Sequence, residues 1–298
     1  MPQDNVIIHK KNTSLNRILY KNRAVLRNCE NIVSASKHKV NLNAWIVPNQ
    51  ETQNVGDYVS VEVVRYLCSI NGCDMSADVK QTKHLYAVGS ILLGYQDATI
   101  WGSGFGYDNS TRWYFGVLSF IHKHYHKTDI RAVRGPETRR ILMKMGYDCP
   151  EIYGDPAVLL PLIYSPKQEK TEPYVVIPHY SKLEKYIGGG ERHILGSFRR
   201  NYKEFVDRIC SAELVISSSL HGIILAEAYG VPAIMLRDTP SKDITKYKDW
   251  YYSTGRKEFP IADSIDDALS MTPVMLDRAT IEAMQNRLIN SFPIDLWT

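Results

Sequence analysis

The chain has 298 residues, 44% hydrophobic and 23% charged, with a formal net charge of +4. That length calls for more than one small core, and the composition is that of an ordinary soluble globular protein. Lys and Arg are spread along the chain, so a basic nucleic-acid-binding surface is excluded and no nucleic-acid partner is expected.

Residues 15–33 carry Leu15, Ile18, Leu19, Leu26, Cys29, Ile32 and Val33 at helical spacing, opposite a basic face of Arg17, Lys21, Arg23 and Arg27. This predicts a helix packed on the body, or one whose basic face meets an anionic membrane surface or acceptor. From residue 42, short apolar runs alternate with helical stretches. "LNAWIV" (42–47), "LYAV" (85–88), "ATIWG" (98–102) and "DIRAV" (129–133) are predicted strands. Residues 58–70 and "PETRRILMKMG" (136–146) are predicted helices. "YSPKQEKTEP" (164–173) breaks the pattern and is the expected linker.

The rhythm then restarts. A strand at 174–179 leads into the glycine-rich loop "YIGGGERHILGSF" (186–198). A helix follows over 202–211, then a strand over 213–217. "SSSLHGIILAEAYGVPAI" (217–234) supplies a further helix and strand, and 277–292 a final helix. The expected fold class is α/β, with helices on both faces of parallel sheets. Two Rossmann-like domains, 1–165 and 166–298, would face each other across a cleft, the last helix packing back on the first. Ligands then belong at the carboxyl ends of the strands.

Several polar residues fall there: Asn54 and Asp57, Gly102 to Gly106, Arg134, His179, and Ser217 to His221. Asp57 is also an ordinary helix cap candidate, and either Ser218 or Ser219 could cap the helix after 217. "GSGFG" (102–106) lacks the GxGxxG spacing, which argues against a nicotinamide cofactor. An arginine at Arg134, between a strand and a helix start, calls for an anionic partner. His221 falls in the first helical turn, where a bound anion would govern its charge, and this suits proton transfer. Gly222 allows close backbone approach. Cys29, Cys68, Cys73, Cys149 and Cys210 form no CxxC pair, so they are expected to be reduced, mostly buried thiols of a cytoplasmic protein. No signal-like segment or apolar span of ~20 residues is apparent.

"NVGD", "WGSGF", "VRGPETRRILMKMGY", "YGDPAVLLP", "VVIPHY", "ISSSLHGIILAEAYGVPAI" and "KYKDWYYSTGR", in this order over roughly residues 42–255, resemble the polysaccharide pyruvyl transferase family. The resemblance implies a fold like GT-B glycosyltransferases. It implies transfer of pyruvate from phosphoenolpyruvate to a sugar of a surface polysaccharide or its precursor, as a cyclic ketal. Phosphoenolpyruvate would be a co-substrate, with no cofactor or metal. The family commonly has Arg-Leu-His where this chain has Ser219-Leu220-His221, so one cation is missing; Arg134, Arg139, Lys246 and Lys248 are candidates to replace it.

On this reading His221 is the acid, and Asp57 a base or acceptor contact. Arg134, His179, Ser218, Ser219, Leu220, Gly222 and Lys248 would hold the donor, and Asn54 and Gly104 the acceptor. Expected partners are phosphoenolpyruvate and a saccharide, with peripheral contact to the inner membrane or a lipid-linked acceptor. Two rivals remain at this stage. One is a GT-B glycosyltransferase with Glu227 on the ribose of a nucleotide sugar. The other is a non-enzymatic glycan-binding scaffold.

Overall fold

The computed structural model describes residues 6–8, 36–44, 53–92, 97–108, 110, 115–166, 169–199, 201–238 and 243–298, with backbone alone at 6–8 and 117–118. The predicted helix at 15–33, the end of the strand at 42–47 and Cys29 lie outside the described residues.

Two parallel sheets organise the chain, as an α/β fold requires. The first contains β1 (Val6–Ile8), β2 (Val40–Ala44), β4 (Lys83–Tyr86), β5 (Ala98–Trp101) and β6 (Thr128–Ala132), in that order. The second runs β11 (Ile261–Ala262), β10 (Ala233–Leu236), β9 (Val215–Ser217), β7 (Val175–Ile177). A short antiparallel pair joins the two halves: β3 (Gln53–Asn54) bonds β8 (Phe198–Arg199), with Asn54 opposite Phe198.

The strands are short, and side chains of the second sheet alternate between its two faces. Val175, Ile177, Val215, Ala233 and Met235 enter the main core. Val176, Ile216, Ile234 and Leu236 enter a smaller cluster on the other face. The main core is continuous from Leu42 and Leu85 of the first sheet to Val215 of the second. A 3-10 helix, Pro156–Leu162, contributes Ala157 to Leu160 to it, all fully buried.

Nine α-helices are described. They are α1 (Val55–Ile70), α2 (Phe115–Tyr125), α3 (Pro136–Lys144), α4 (Leu183–Gly188), α5 (Tyr202–Cys210), α6 (Leu220–Ala228), α7 (Thr245–Ser253), α8 (Ile265–Ser270) and α9 (Arg278–Asn290). α1 begins three residues earlier than expected. The Asn54 carboxamide accepts the Gly56 N–H at 3.1 Å and caps the helix, so Asp57 is its third residue rather than its cap.

The stretch at 164–173 is bonded to the second half: Lys170 Nζ donates to the Cys210 and Ala212 carbonyls at 3.0 and 2.6 Å. α9 lies against the first half, where Trp101 Nε1 donates to the Leu288 carbonyl at 3.0 Å and Gln285 Nε2 to that of Val158 at 2.7 Å. Cys68, Cys149 and Cys210 are buried free thiols, and Cys73 is half-buried and free. Among the described residues no helix is long and apolar enough to cross a membrane.

Candidate functional site

The carboxyl ends of β7 and β9 are in register, with Ile177 opposite Ser217. The loops that follow are therefore neighbours. Ser218 Oγ accepts the His179 N–H at 2.8 Å, and Ser217 Oγ accepts the Ser219 N–H at 3.0 Å. The Ser218 hydroxyl is thus engaged by His179, and Ser219, at the N-cap position of α6, makes no side-chain cap bond. Ser219 is half-buried at the start of α6, beside a helix N-terminus with spare N–H donors.

α6 is apolar on nearly every side, as a helix enclosed by protein must be. Ile223, Ile224, Leu225 and Ala226 are fully buried. Its one imidazole, His221, emerges where three elements meet. Nε2 lies 3.7 Å from Asp155 Oδ2, and both atoms are buried without a hydrogen-bond partner. On the Nδ1 side, a Cβ added at Gly56 would lie 2.0 Å from that nitrogen. The ring is thus held between the first turn of α1 and the start of the 3-10 helix.

Asp155 caps that 3-10 helix, with Oδ1 accepting the Ala157 N–H at 3.1 Å, which leaves Oδ2 for His221. Asp57 completes the group. Burial pushes its carboxyl up to about 7; nearby His221 draws it down, and Asp155 pushes it further up. A half-buried carboxyl that exchanges its proton near neutrality is suited to acid–base work.

Gly56→Ala tests this packing. Alanine favours a helix by ~1 kcal/mol over glycine, so the change would be benign without the ring. Because the new methyl must displace His221, turnover is expected to fall more than about tenfold with thermal stability retained. Unchanged turnover would show that the imidazole position is immaterial.

A second group lies beside the first. Burial, then the charges of Lys246 and Lys182, push His179 down to about 4, so it is neutral at neutral pH. Its Nδ1 accepts the Ser181 N–H at 3.4 Å, which leaves the proton on Nε2. Burial, and then the Arg134 charge, push Lys246 down to about 8. Lys246 has no carboxylate partner among the described residues; its ammonium sits 5.0 Å from the centre of the Tyr247 ring.

The other sequence candidates are placed differently. Arg134 is fully buried. Its Nε donates to Asp249 Oδ2 at 3.0 Å, Nη1 to Ser90 Oγ at 2.6 Å and Nη2 to the Phe105 carbonyl at 2.5 Å. Its anionic partner is thus internal, and its guanidinium is not open to a ligand. Gly104 is glycine because a Cβ there would lie 2.5 Å from the Arg134 guanidinium carbon. Gly222 packs on Ser217 Oγ, 2.4 Å from where its Cβ would be, rather than on a ligand. The Leu220 side chain is buried in the main core, and the Asn54 side chain is used as a cap. Arg139 is spent on the Cys149 carbonyl and Glu151. Lys248 is half-buried on α7, two residues from Lys246 and so on a different side of the helix.

α7 explains the "KYKDWYYSTGR" stretch. Asp249 binds Arg134 and the N–H and hydroxyl of Thr138 at 2.9 and 2.6 Å. Tyr247 OH donates to the Ser218 carbonyl at 2.8 Å. Trp250 Nε1 donates to Glu227 at 2.7 Å, and Arg256 grips both Glu227 oxygens at 2.6 and 2.8 Å. Glu227, buried and paired on both oxygens, is thereby removed from any role on a ribose. Sequence reasoning missed Asp155. The available signal was an aspartate immediately before Pro156 at a helix start, with one oxygen to spare beyond the cap.

Residues 77–239 match the family description "Polysaccharide pyruvyl transferase". The chain is also 32% identical over 165 residues to the succinoglycan biosynthesis protein ExoV of Rhizobium meliloti, a match covering 52% of this chain and 46% of that protein. The chain thus matches about half the length of that relative. A solved structure of an uncharacterized Klebsiella pneumoniae protein aligns with 82% of this chain and 94% of its own, at 13% identity and a TM-score of 0.44, too low to bear on the fold. The matched region holds Arg134, Asp155, His179 and His221, and by that match this chain belongs to the polysaccharide pyruvyl transferase family.

Proposed function

We propose that this protein transfers pyruvate from phosphoenolpyruvate to a sugar of a bacterial exopolysaccharide or its precursor, forming a cyclic ketal and releasing phosphate. The observation that carries the reading is the unpaired buried couple of His221 and Asp155, set beside Asp57 at the start of α6. The name of the Rhizobium relative supports an exopolysaccharide as the acceptor class. Two parallel sheets with this group at their strand ends support a GT-B-like pair of Rossmann-like units.

The donor carries a carboxylate and a phosphate. The free N–H groups at the α6 N-terminus, the Ser219 hydroxyl, the His179 Nε2–H and Lys246 are suited to hold them. Lys246 is the cation that offsets the arginine absent at Ser219. His221 delivers a proton to the donor methylene, which becomes a methyl group and leaves positive charge on the adjacent carbon. Asp155, on the buried Nε2 side, fixes the ring and leaves Nδ1 for this transfer. A separation of 3.7 Å is long for a hydrogen bond but ordinary before substrate closes a site.

A sugar hydroxyl then attacks the cationic carbon, and Asp57 takes its proton. Departure of phosphate regenerates the cation, and the second hydroxyl closes the ketal. Two hydroxyl protons leave the sugar in total. One balances that given to the methyl, and the other departs with phosphate. The buried Glu227–Arg256 pair weighs against the nucleotide-sugar alternative, which needs Glu227 exposed.

The test is incubation with phosphoenolpyruvate and a panel of saccharide acceptors, reading phosphate release and a pyruvate-sized mass gain. Thermal stabilisation by a nucleotide sugar and not by phosphoenolpyruvate would overturn the proposal. A further result is expected from pH. Lys246 loses its proton as pH rises through about 8, so phosphoenolpyruvate Kd is expected to rise roughly tenfold between about pH 7 and 9. In Lys246→Met that rise should vanish, and the low-pH Kd should already be high.

A further inference from the structure

Between β7 and β8 the chain makes an exposed excursion containing α4 and the glycine-rich turn at Gly188 to Gly190. The catalytic scheme above uses none of it beyond His179. Its first residue after that histidine, Tyr180, is a large ring left 44% exposed.

Tyr180 is not an isolated surface aromatic. Its ring lies 4.5 Å from that of His179 at an interplanar angle of 34°, and 6.0 Å from that of Phe198 in an edge-on contact at 68°. Each end of this row is tied to the candidate site. The His179 N–H is bonded to Ser218 Oγ, three residues before His221. Phe198 sits opposite Asn54 in the β3–β8 pair, and the neighbouring Val55 N–H donates to the Ser197 carbonyl at 2.9 Å. Those bonds set the first turn of α1, which carries Asp57. The aromatic row therefore runs along the rim from the donor-side loop to the strand that places the proposed base.

We infer that Tyr180, backed by His179 and Phe198, is the platform on which the saccharide acceptor stacks. This rests on the acceptor being a sugar, as proposed above. A pyranose has one face lined by C–H groups, and that face packs on an aromatic ring while its hydroxyls stay free to react. A flat ring held by two aromatic neighbours offers such a surface at little entropic cost, having two side-chain torsions to fix. Lys182 and Lys185 do not compete for the role, because both are engaged with Asp238, at 3.8 and 2.8 Å.

The test is saturation-transfer NMR of the full chain with lactose and cellobiose, in the presence of phosphoenolpyruvate, for the wild type, Tyr180→Phe and Tyr180→Ala. Transfer to sugar C–H protons is expected in the wild type, retained in Tyr180→Phe, and reduced at least about fivefold in Tyr180→Ala. In acceptor kinetics Tyr180→Ala should raise the acceptor KM about tenfold with kcat within about twofold. Equal transfer in wild type and Tyr180→Ala, or no transfer to either disaccharide in the wild type, would overturn the platform. Thermal stabilisation by phosphoenolpyruvate, measured alongside, reports on the donor separately. Its loss would count against pyruvyl transfer without touching the stacking result.

Discussion

His221→Ala is expected to lower turnover of phosphoenolpyruvate at least ~100-fold, the low end for removing a general acid–base group. Its unfolding midpoint should stay within about 2 °C of the wild type, since the side chain is partly exposed and has no hydrogen bond to lose. The loss belongs to kcat. In the proposed scheme donor binding draws on the α6 N-terminus, Ser219 and Lys246, none of which the substitution removes, so donor Kd should change by less than about fivefold. Asp155→Asn provides the companion measurement. An amide at that position still caps Ala157 through its oxygen but presents N–H groups towards Nε2, which disfavours the tautomer that leaves Nδ1 free to receive and deliver the proton. An intermediate loss of roughly tenfold or more is expected, without loss of donor binding. Retention of more than roughly a tenth of the activity by His221→Ala would sink the acid–base assignment. The scaffold reading, a glycan-binding protein without turnover, predicts no effect of either change.

The contrast between His221 and Arg134 shows what could be read from the sequence. Both follow a predicted strand, and both lie at or just before a helix start. Strand-to-helix position depends on local periodicity, and it was legible: the parallel strands β2, β4, β5, β6, β7, β9 and β10, the helices at 136–146, 202–211 and 277–292 and the helix within 217–234 appear with ends shifted by a few residues. What position does not reveal is which way a side chain is spent. Arg134 has an anionic partner, as its charge requires, but the partner is Asp249, 115 residues away on α7. Such pairing depends on tertiary contact and leaves no trace in spacing. The same holds for Glu227, claimed by Arg256 and Trp250, and for Gly104 and Gly222, whose missing side chains make room for protein rather than ligand. Asp155 is the converse case. Its local role as a cap was readable, and its second oxygen gained meaning only once His221 was beside it. β1, β11, the antiparallel β3–β8 pair and the six-residue α4 and α8 were missed because elements of two to six residues carry too few positions to show a period, and the longer α2 and α7 were missed as well.

Asp249→Ala is expected to be the most destabilising single change, at ~3–5 kcal/mol, because it strands a guanidinium in a place water does not reach. Both side chains of the pair are 0% exposed. Removing the carboxylate also leaves the Thr138 N–H and hydroxyl without their acceptor. Most proteins have only ~5–15 kcal/mol of net stability, so a large fraction is at stake, and the unfolding midpoint should fall by about 10 °C. The cost of an unpaired charge can be separated from the worth of the pair. In the double variant Arg134→Met/Asp249→Leu no charge is stranded, and about half or more of the lost stability should return. Denaturant unfolding of the wild type, Arg134→Met, Asp249→Leu and the double variant gives the coupling directly. A loss below about 1 kcal/mol for Asp249→Ala would mean that α7 is not anchored through this pair. The consequence reaches the site because Lys246 lies three residues before Asp249, almost one helical turn away. An α7 freed from Arg134 no longer fixes that ammonium, so donor Kd should rise in Asp249→Ala even where the protein remains folded. In the double variant stability should recover further than donor affinity, since leucine packs α7 without orienting it.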